Sequence, residues 1–535
     1  MEEDKMEDNS PITLDGEESE LSNNNNVKEN PSKSYPDKSP EIKKTQDSYT
    51  SIFLITCIAG IVMGLVLEII LVVNRSYTSD LYEEKPIYWV YAKNSDQSTK
   101  NKSNVLKHVH LVLQRIGYQE GTSDMPWTLL WSYTALPIHV NLRNLKENQF
   151  VSHFPGTGHI TLKVDLATTA SKYIPKAFAL PKSTDKFLKY AAENPNALFV
   201  QKQNTHRHVY LRNVSEINMT DKSTFIQEYI QKPFLVDGHK FDLGVYVVLK
   251  SVNPLRVYWY KGDVIFRYCP EKYHPFDPKI VGKYVVGDNY LPTWKVDPLE
   301  HIFTAQGNNM KESFDFYARS MGKDPTDMWE DVLKAITEVF VKKEHLIINA
   351  FKDYKSTENF FEMMRFDLIV DEDLKVYLLE ANMSPNLIAH SKPQNQLLYE
   401  QVLYNLYSLI GVSRINVTDR DWRERKAAKE MVTTDKNIAV FGKECSTICQ
   451  DNCGALELCQ LCKPCLSDNM KKTLLTAHGE FLHKGDFRRL IPRTMVPNED
   501  IASLTENFKH LSPNNKLLHL WYQGKCNQDI TWCVG

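Results

Sequence analysis

From residue 86 onward the chain alternates between two kinds of apolar pattern. Short runs rich in β-branched and aromatic residues, IYWVYA, ALFVQK, FDLGVYVVLK and LRVYWY, predict strands. Between them NVLKHVHLVLQRIG, DMWEDVLKAITEVFVKKEHLIINAF and NQLLYEQVLYNLYSLIG repeat their apolar positions at helical spacing. This alternation, without internal repeats, predicts an α/β (α+β) body of enzyme size. Gly411 follows the last of these helices as a C-terminal cap. The charged stretch containing DRDWRERKAAKE, read as a solvated helix face, then sets a boundary near residue 412.

Polar residues interrupt one hairpin pattern in a way that carries chemistry. FDLIVDEDLKVYLLEANMSPNL, residues 366–387, reads as two strands joined by the acidic turn Asp371-Glu372-Asp373. Polar side chains on one hairpin face ordinarily meet water. Here Glu380 and Asn382 are two apart and so share a face, and pairing with FDLIV could bring Asp367 onto it. Two carboxylates and an amide oxygen are hard-oxygen donors. They suit Mg²⁺, which completes its shell with waters and substrate phosphates, so the cluster directs attention to a nucleotide.

The first fifty residues differ from the body: acidic, rich in Ser, Pro, Lys and Asn, with little to bury, they predict a disordered tail over 1–50. An apolar run over 51–74, interrupted only by Glu68, is long enough for the ~30 Å hydrocarbon core and predicts a single-pass anchor. Glu68 is then expected near the far interface or against a partner helix. Lys38, Lys43 and Lys44 precede the run, and Arg75 and Lys85 follow it. That small excess favours a cytosolic amino terminus, hence a type II protein with its body lumenal (endoplasmic reticulum or Golgi) or extracellular.

Cysteine usage agrees with that compartment. Cys445, Cys449, Cys453, Cys459, Cys462, Cys465, Cys526 and Cys533 crowd a C-terminal region over 440–535, whereas only Cys57 and Cys269 lie earlier. An even set reads as disulfides in an oxidising compartment, while the spacing from Cys459 to Cys465 is also compatible with zinc. Sequons at Asn101, Asn213, Asn218 and Asn416 permit glycosylation. A net charge of −3 argues against nonspecific nucleic-acid binding.

A second long segment, FIQEYIQKPFLVDGHKFDLGVYVVLKSVNPLRVYWY over 225–260, precedes the acidic hairpin by about a hundred residues. The two segments in this order resemble the tubulin tyrosine ligase-like family of ATP-grasp amide ligases, tubulin polyglutamylases among them. HFPG at 153–156, YIPKAFALP at 173–181 and DNY at 288–290 fall where that family has similar pieces. The resemblance covers residues 86–412 and implies a fold in which two sheet-bearing halves clamp ATP. It implies Asp367, Glu380 and Asn382 as magnesium ligands, Lys240 as a phosphate contact, and Lys202, Gln227, Glu228, Tyr229, Ile230, Asp242 and Asn289 as further cofactor-binding residues. Lys240, Arg256 and Glu380 become the candidate catalytic residues. The implied chemistry phosphorylates a carboxylate and then joins it to an amino group, with ATP and Mg²⁺ as cofactors. The expected acceptor is a protein: tubulin by resemblance, or a lumenal protein if the topology is type II.

Three departures bear on activity. QNTHRH at 203–208 stands where the family has a glycine-rich phosphate loop, so Arg207 or the histidines would have to supply charge. Gly244 in KFDLG replaces an arginine suited to gripping an amino-acid carboxylate, leaving Arg207, Arg256 and Lys250 as the nearest cations by position. Asn289-Tyr290-Leu291 lacks a hydroxyl that the family often carries. Two expectations follow: a ligase transferring glutamate or another amino acid, or a membrane-anchored nucleotide-binding scaffold that has lost transfer.

Overall fold

The computed structural model describes residues 43–80, 85–91, 106–133, 137, 140–203, 209–389, 392–414, 435–500 and 511–535. The chain divides into two units, Met1–Tyr82 and Glu83–Gly535.

The first unit contains the helix Lys43–Asp80. It starts inside the stretch expected to be tail, because no proline or glycine interrupts residues 41–59 and helix can propagate outward from the apolar run. The rest of that tail lies outside the described residues. Ile52–Val73 has a mean hydropathy of 2.7 and none of it is buried in protein, so by length and composition it can cross a membrane. The Thr56 hydroxyl donates to the carbonyls of Ile52 and Phe53, which satisfies that donor on the apolar surface.

The described residues of the second unit form three sheets. The first joins β1 (Ile87–Tyr91), β2 (Gln119–Glu120), β3 (Leu129–Ser132) and β4 (Phe150–Val151) in the order β2-β1-β3-β4, all parallel. The second is antiparallel, with β5 (Ala177–Ala179), β6 (Phe199–Gln203), β7 (Val209–Arg212) and β8 (Thr224–Glu228) in the order β5-β8-β6-β7.

The third sheet is built on β9 (Phe241–Val252), with β10 (Leu255–Tyr260), β11 (Ile265–Tyr268), β12 (Leu291–Pro292), β13 (Glu362–Val370), β14 (Val376–Asn382) and β15 (Phe487–Ile491). Residues 243–249 of β9 pair with β13, while β11 pairs with 241–244 and β10 with 247–252. A strand has two edges, so β10 and β11 share one and β13 takes the other. Every residue of β13 is buried and β9 is buried except at Asp242, which accounts for their near-continuous apolar sequences. The helices Thr326–Ala350 and Asn395–Leu409 form as their periodicity predicts, and Gly411 adopts a φ of +88° beyond the second. In HFPG, Gly156 has a φ of +87°, and a Cβ there would lie 2.8 Å from Cβ of Ala350.

The cysteine-rich region is not a separate appendage. Its strand β15 pairs antiparallel with β10, covering an edge that would otherwise be open. It also holds its own core, including Leu474, Leu518, Trp521, Tyr522 and Trp532. Disulfides join Cys445 to Cys462, Cys449 to Cys459, Cys453 to Cys465, and Cys526 to Cys533, which leaves no thiolate of this set for zinc. Asn213 and Asn218 are exposed, as a glycan requires. Asn101, Asn416 and the charged stretch 419–430 lie outside the described residues.

Candidate functional site between two sheets

The second and third sheets enclose a cleft of about 700 Å³ lined by Lys202, Gln227, Glu228, Tyr229 and Ile230 on one side and Lys240, Asp242, Asp367, Glu380 and Asn382 on the other. Ten of the sequence-selected residues therefore converge. For the hairpin residues strand periodicity explains why: Asp367 and Glu380 are direct cross-strand partners, Arg365 lies opposite Asn382, and alternate residues share a face.

On the side of the second sheet, Lys202 Nζ donates to Gln227 Oε1 at 2.7 Å, and Gln227 Nε2 donates to the carbonyl of Pro175. Tyr190 donates to Glu228. Across the cleft, Lys240 Nζ lies 4.5 Å from the centre of the Tyr229 ring and donates to the Tyr284 carbonyl at 3.1 Å. Burial pushes the Lys202 and Lys240 ammonium groups down to about 8, against the pull of Glu380 on the former and of Cys269 and Asp242 on the latter. Two lysines whose charge burial disfavours are well suited to a polyanion, which would stabilise their protonated form.

The carboxylates are held by cations that sequence reasoning missed. Arg267 of β11 donates from Nε and Nη2 to Asp242 and from Nη2 to Asp367 at 2.9 Å. Arg365 grips Asp367 through Nε at 2.6 Å and Nη2 at 2.9 Å. Asn382 adds an Nδ2 donor to Asp367, and Lys163 approaches Glu380 at 3.1 Å. Burial raises Asp242 to about 6, opposed by Arg267. Arg365 was accessible to the same period-two argument that selected Asp367. Arg267 was not, because only the long-range pairing of β11 with β9 sets it opposite Asp242.

Two expectations require correction. Arg256, proposed as catalytic, is fully buried away from the cleft, paired with Glu358 at 2.8 Å and Glu480 at 3.0 Å. It lies opposite Ser251 on β9, seven residues from Gly244, or roughly 20 Å at strand spacing. Lys250 belongs to the same cluster and donates to the Glu358 carbonyl. Asn289, proposed as cofactor-binding, is exposed and does not line the cleft, although its neighbours Asp288 and Tyr290 do. Arg207 and the histidines of 203–208 lie outside the described residues.

Residues 141–419 match the sequence profile of the tubulin-tyrosine ligase family, and that span holds every cleft residue selected above. The chain is 35% identical over 472 residues to the probable tubulin polyglutamylase ttll-15 of Caenorhabditis elegans, covering 86% of this chain and 89% of that protein. It is 25% identical over 406 residues to the tubulin polyglutamylase ttll6 of Danio rerio, covering 72% of this chain and 49% of that protein. With the tubulin polyglutamylase TTLL7 of Xenopus tropicalis it shares 25% identity over 417 residues, again 72% of this chain but 45% of that protein. The match to the worm protein runs through nearly the whole of both chains, and the family profile spans the cleft: this chain belongs to the tubulin-tyrosine ligase family.

Proposed function

We propose that the chain is an ATP- and magnesium-dependent ligase that joins an amino acid, glutamate, to a carboxylate of a protein acceptor. The observation that carries this reading is the convergence of the half-buried Lys202 and the buried Lys240 with Asp367, Glu380 and Asn382 in one cleft between two sheets. The polyglutamylase names of the relatives support the choice of amino acid.

In this reading residues 227–230 receive the adenine, and Lys202 and Lys240 exchange their present acceptors for phosphate oxygens. Asp367, Glu380 and Asn382 fit a magnesium ion by donor type. Asn382 turns its NH₂ toward Asp367, and among the described residues its Oδ1 accepts nothing. Two carboxylates and one amide oxygen would leave the shell to be completed by waters and substrate phosphates. When bound, magnesium neutralises charge on the phosphates as the phosphoryl group leaves. A carboxylate oxygen of the acceptor attacks the γ-phosphorus, the bond to the bridging oxygen breaks, and ADP departs. The amino nitrogen of glutamate then attacks the acyl carbon, phosphate leaves with its oxygen, and the nitrogen gives up a proton. Lys163 keeps Glu380 oriented throughout.

Glu380→Gln removes a charge at nearly constant volume and is expected to abolish magnesium-dependent ATP binding while leaving the thermal melt unchanged. An unchanged ATP affinity would return the cluster to a structural role. The second reading, a nucleotide-binding scaffold, is favoured by one observation: Asp367 Oδ2 already accepts from Arg267, Arg365 and Asn382, so a metal must displace donors. Labelled glutamate transfer by the purified full chain separates the two, since ATP binding without transfer supports the scaffold.

The reading includes a membrane anchor at Ile52–Val73 with the body lumenal or extracellular, supported by the flanking lysines and the paired cysteines. In that topology the acceptor is a lumenal or extracellular protein; tubulin would require the opposite orientation.

A further inference from the structure

We propose that Arg365 binds the carboxylate of the amino-acid substrate, an inference that rests on the ligase reading and adds the residue that recognises the incoming molecule. An amino acid entering a closed cleft must have its carboxylate desolvated against a fixed cation. Of the cations expected to serve, Arg256 and Lys250 are committed to Glu358 and Glu480 at the far end of β9, and Arg207 lies outside the described residues.

Arg365 lines the cleft, is 6% exposed, and has the required donors in the required arrangement. A guanidinium carries five N–H groups on two usable edges. Asp367 occupies one edge, taking Nε–H and one hydrogen of Nη2. The other edge, formed by Nη1 and the second hydrogen of Nη2, donates to no group among the described residues. It presents two parallel N–H groups, the geometry that grips a carboxylate bidentately. Arg267 lacks this edge because Nη2 already serves both Asp242 and Asp367.

Gly244 makes the arrangement possible. It lies opposite Asp367 on the neighbouring strand, and a Cβ there would come within 2.8 Å of Arg365 Cδ and 2.7 Å of Ile265 Cγ2. The Arg365 stem thus fills the volume that a side chain at 244 would take. The pair Gly244 and Arg365 works as a unit: glycine on one strand and arginine on the next put one guanidinium into the cleft.

The test measures glutamate binding by the full chain in detergent, with a non-hydrolysable ATP analogue and Mg²⁺, alongside affinity for the analogue. Arg365→Gln is expected to weaken glutamate binding about 10- to 100-fold, the loss of a charge-assisted bidentate contact, while affinity for the analogue changes less than about threefold. Gly244→Arg alone is expected to lose glutamate binding by crowding Arg365. The double variant Gly244→Arg/Arg365→Gly, which moves the guanidinium one strand over, is expected to recover most of it, and that recovery rules out misfolding as the cause of the single losses. Glutamate binding that is absent in the natural chain, or unchanged in Arg365→Gln, overturns the proposal, as does equal loss of glutamate and nucleotide. Absence of transfer to any protein, with Arg365-dependent glutamate binding intact, would instead count against the ligase reading alone.

Discussion

At the scale of residues, position relative to the cleft, rather than burial or residue type, separates the chemical groups from the structural ones. Arg256 illustrates the structural case: fully buried between Glu358 and Glu480, it holds β10 to the helix Asp468–Leu482. Arg256→Met removes the guanidinium from between those buried carboxylates, leaving Glu358 to Lys250 and Glu480 to the Tyr258 hydroxyl, and is expected to cost about 3 to 5 kcal/mol in denaturant unfolding, with unchanged nucleotide affinity in the folded fraction. Lys240 illustrates the chemical case. Its folded value of about 8 lies below the ordinary lysine value, so the folded protein binds fewer protons than the unfolded chain between pH 8 and about 10.4. Lys240 therefore lowers stability below pH 8, and its penalty fades as pH rises through that window. Nucleotide prefers the charged form, so ATP affinity is expected to fall above pH 8 by up to about tenfold per pH unit. Binding near pH 8.5 should take up a proton, visible in calorimetry as a dependence on buffer ionisation heat; equal heats in phosphate and Tris would overturn this role. Asp367, Glu380 and Asn382 were legible in the sequence because strand periodicity is local. Arg267 was not, because its place depends on which strand lies beside β9.

At the scale of elements, the unexpected feature is β15. The family profile ends at residue 419, yet the third sheet is completed by a strand at Phe487–Ile491. Further contacts reinforce it: Asn515 accepts from the Leu255 amide and donates to Glu344, and Tyr258 donates to Glu480. A chain truncated after residue 419 would expose the edge of β10 and leave Arg256 half-paired. It is expected to aggregate or melt well below the full chain, whereas a truncation that retained the full melting temperature would show β15 to be dispensable. Sequence alone treated the cysteine-rich region as a separate unit because charged residues precede it. Composition marks a linker but does not reveal that the chain returns to the sheet it left.

At the scale of the whole molecule, the apolar helix and the paired cysteines make a joint claim about compartment. With the body lumenal, protease added to sealed microsomes is expected to remove only the N-terminal tail, and glycosidase should increase mobility through Asn213 or Asn218. Digestion of the body would place it in the cytosol and make tubulin the natural acceptor. Non-reducing mass spectrometry should also recover the four disulfides, with Cys269 as a buried free thiol. Free thiols throughout would argue against the lumenal orientation.

The sequence by itself determined what depends on neighbours a few positions away. The strand and helix patterns, the membrane-length apolar run, the cap at Gly411 and the shared face of Glu380 and Asn382 all follow from periodicities of 2 and 3.6 and from side-chain size. Family resemblance added Lys202, Lys240 and residues 227–230, which the two sheets do bring to one cleft. Only the tertiary structure decided which cations meet which carboxylates. Arg267 reaches Asp242 and Asp367 because β11 and β13 flank β9, whereas Arg365 meets Asp367 locally, two residues away on β13, and Arg256 is carried away from the cleft by its distance along the same sheet. Electrostatic partnership depends on separation in space, and strand pairing sets that separation without regard to distance along the chain.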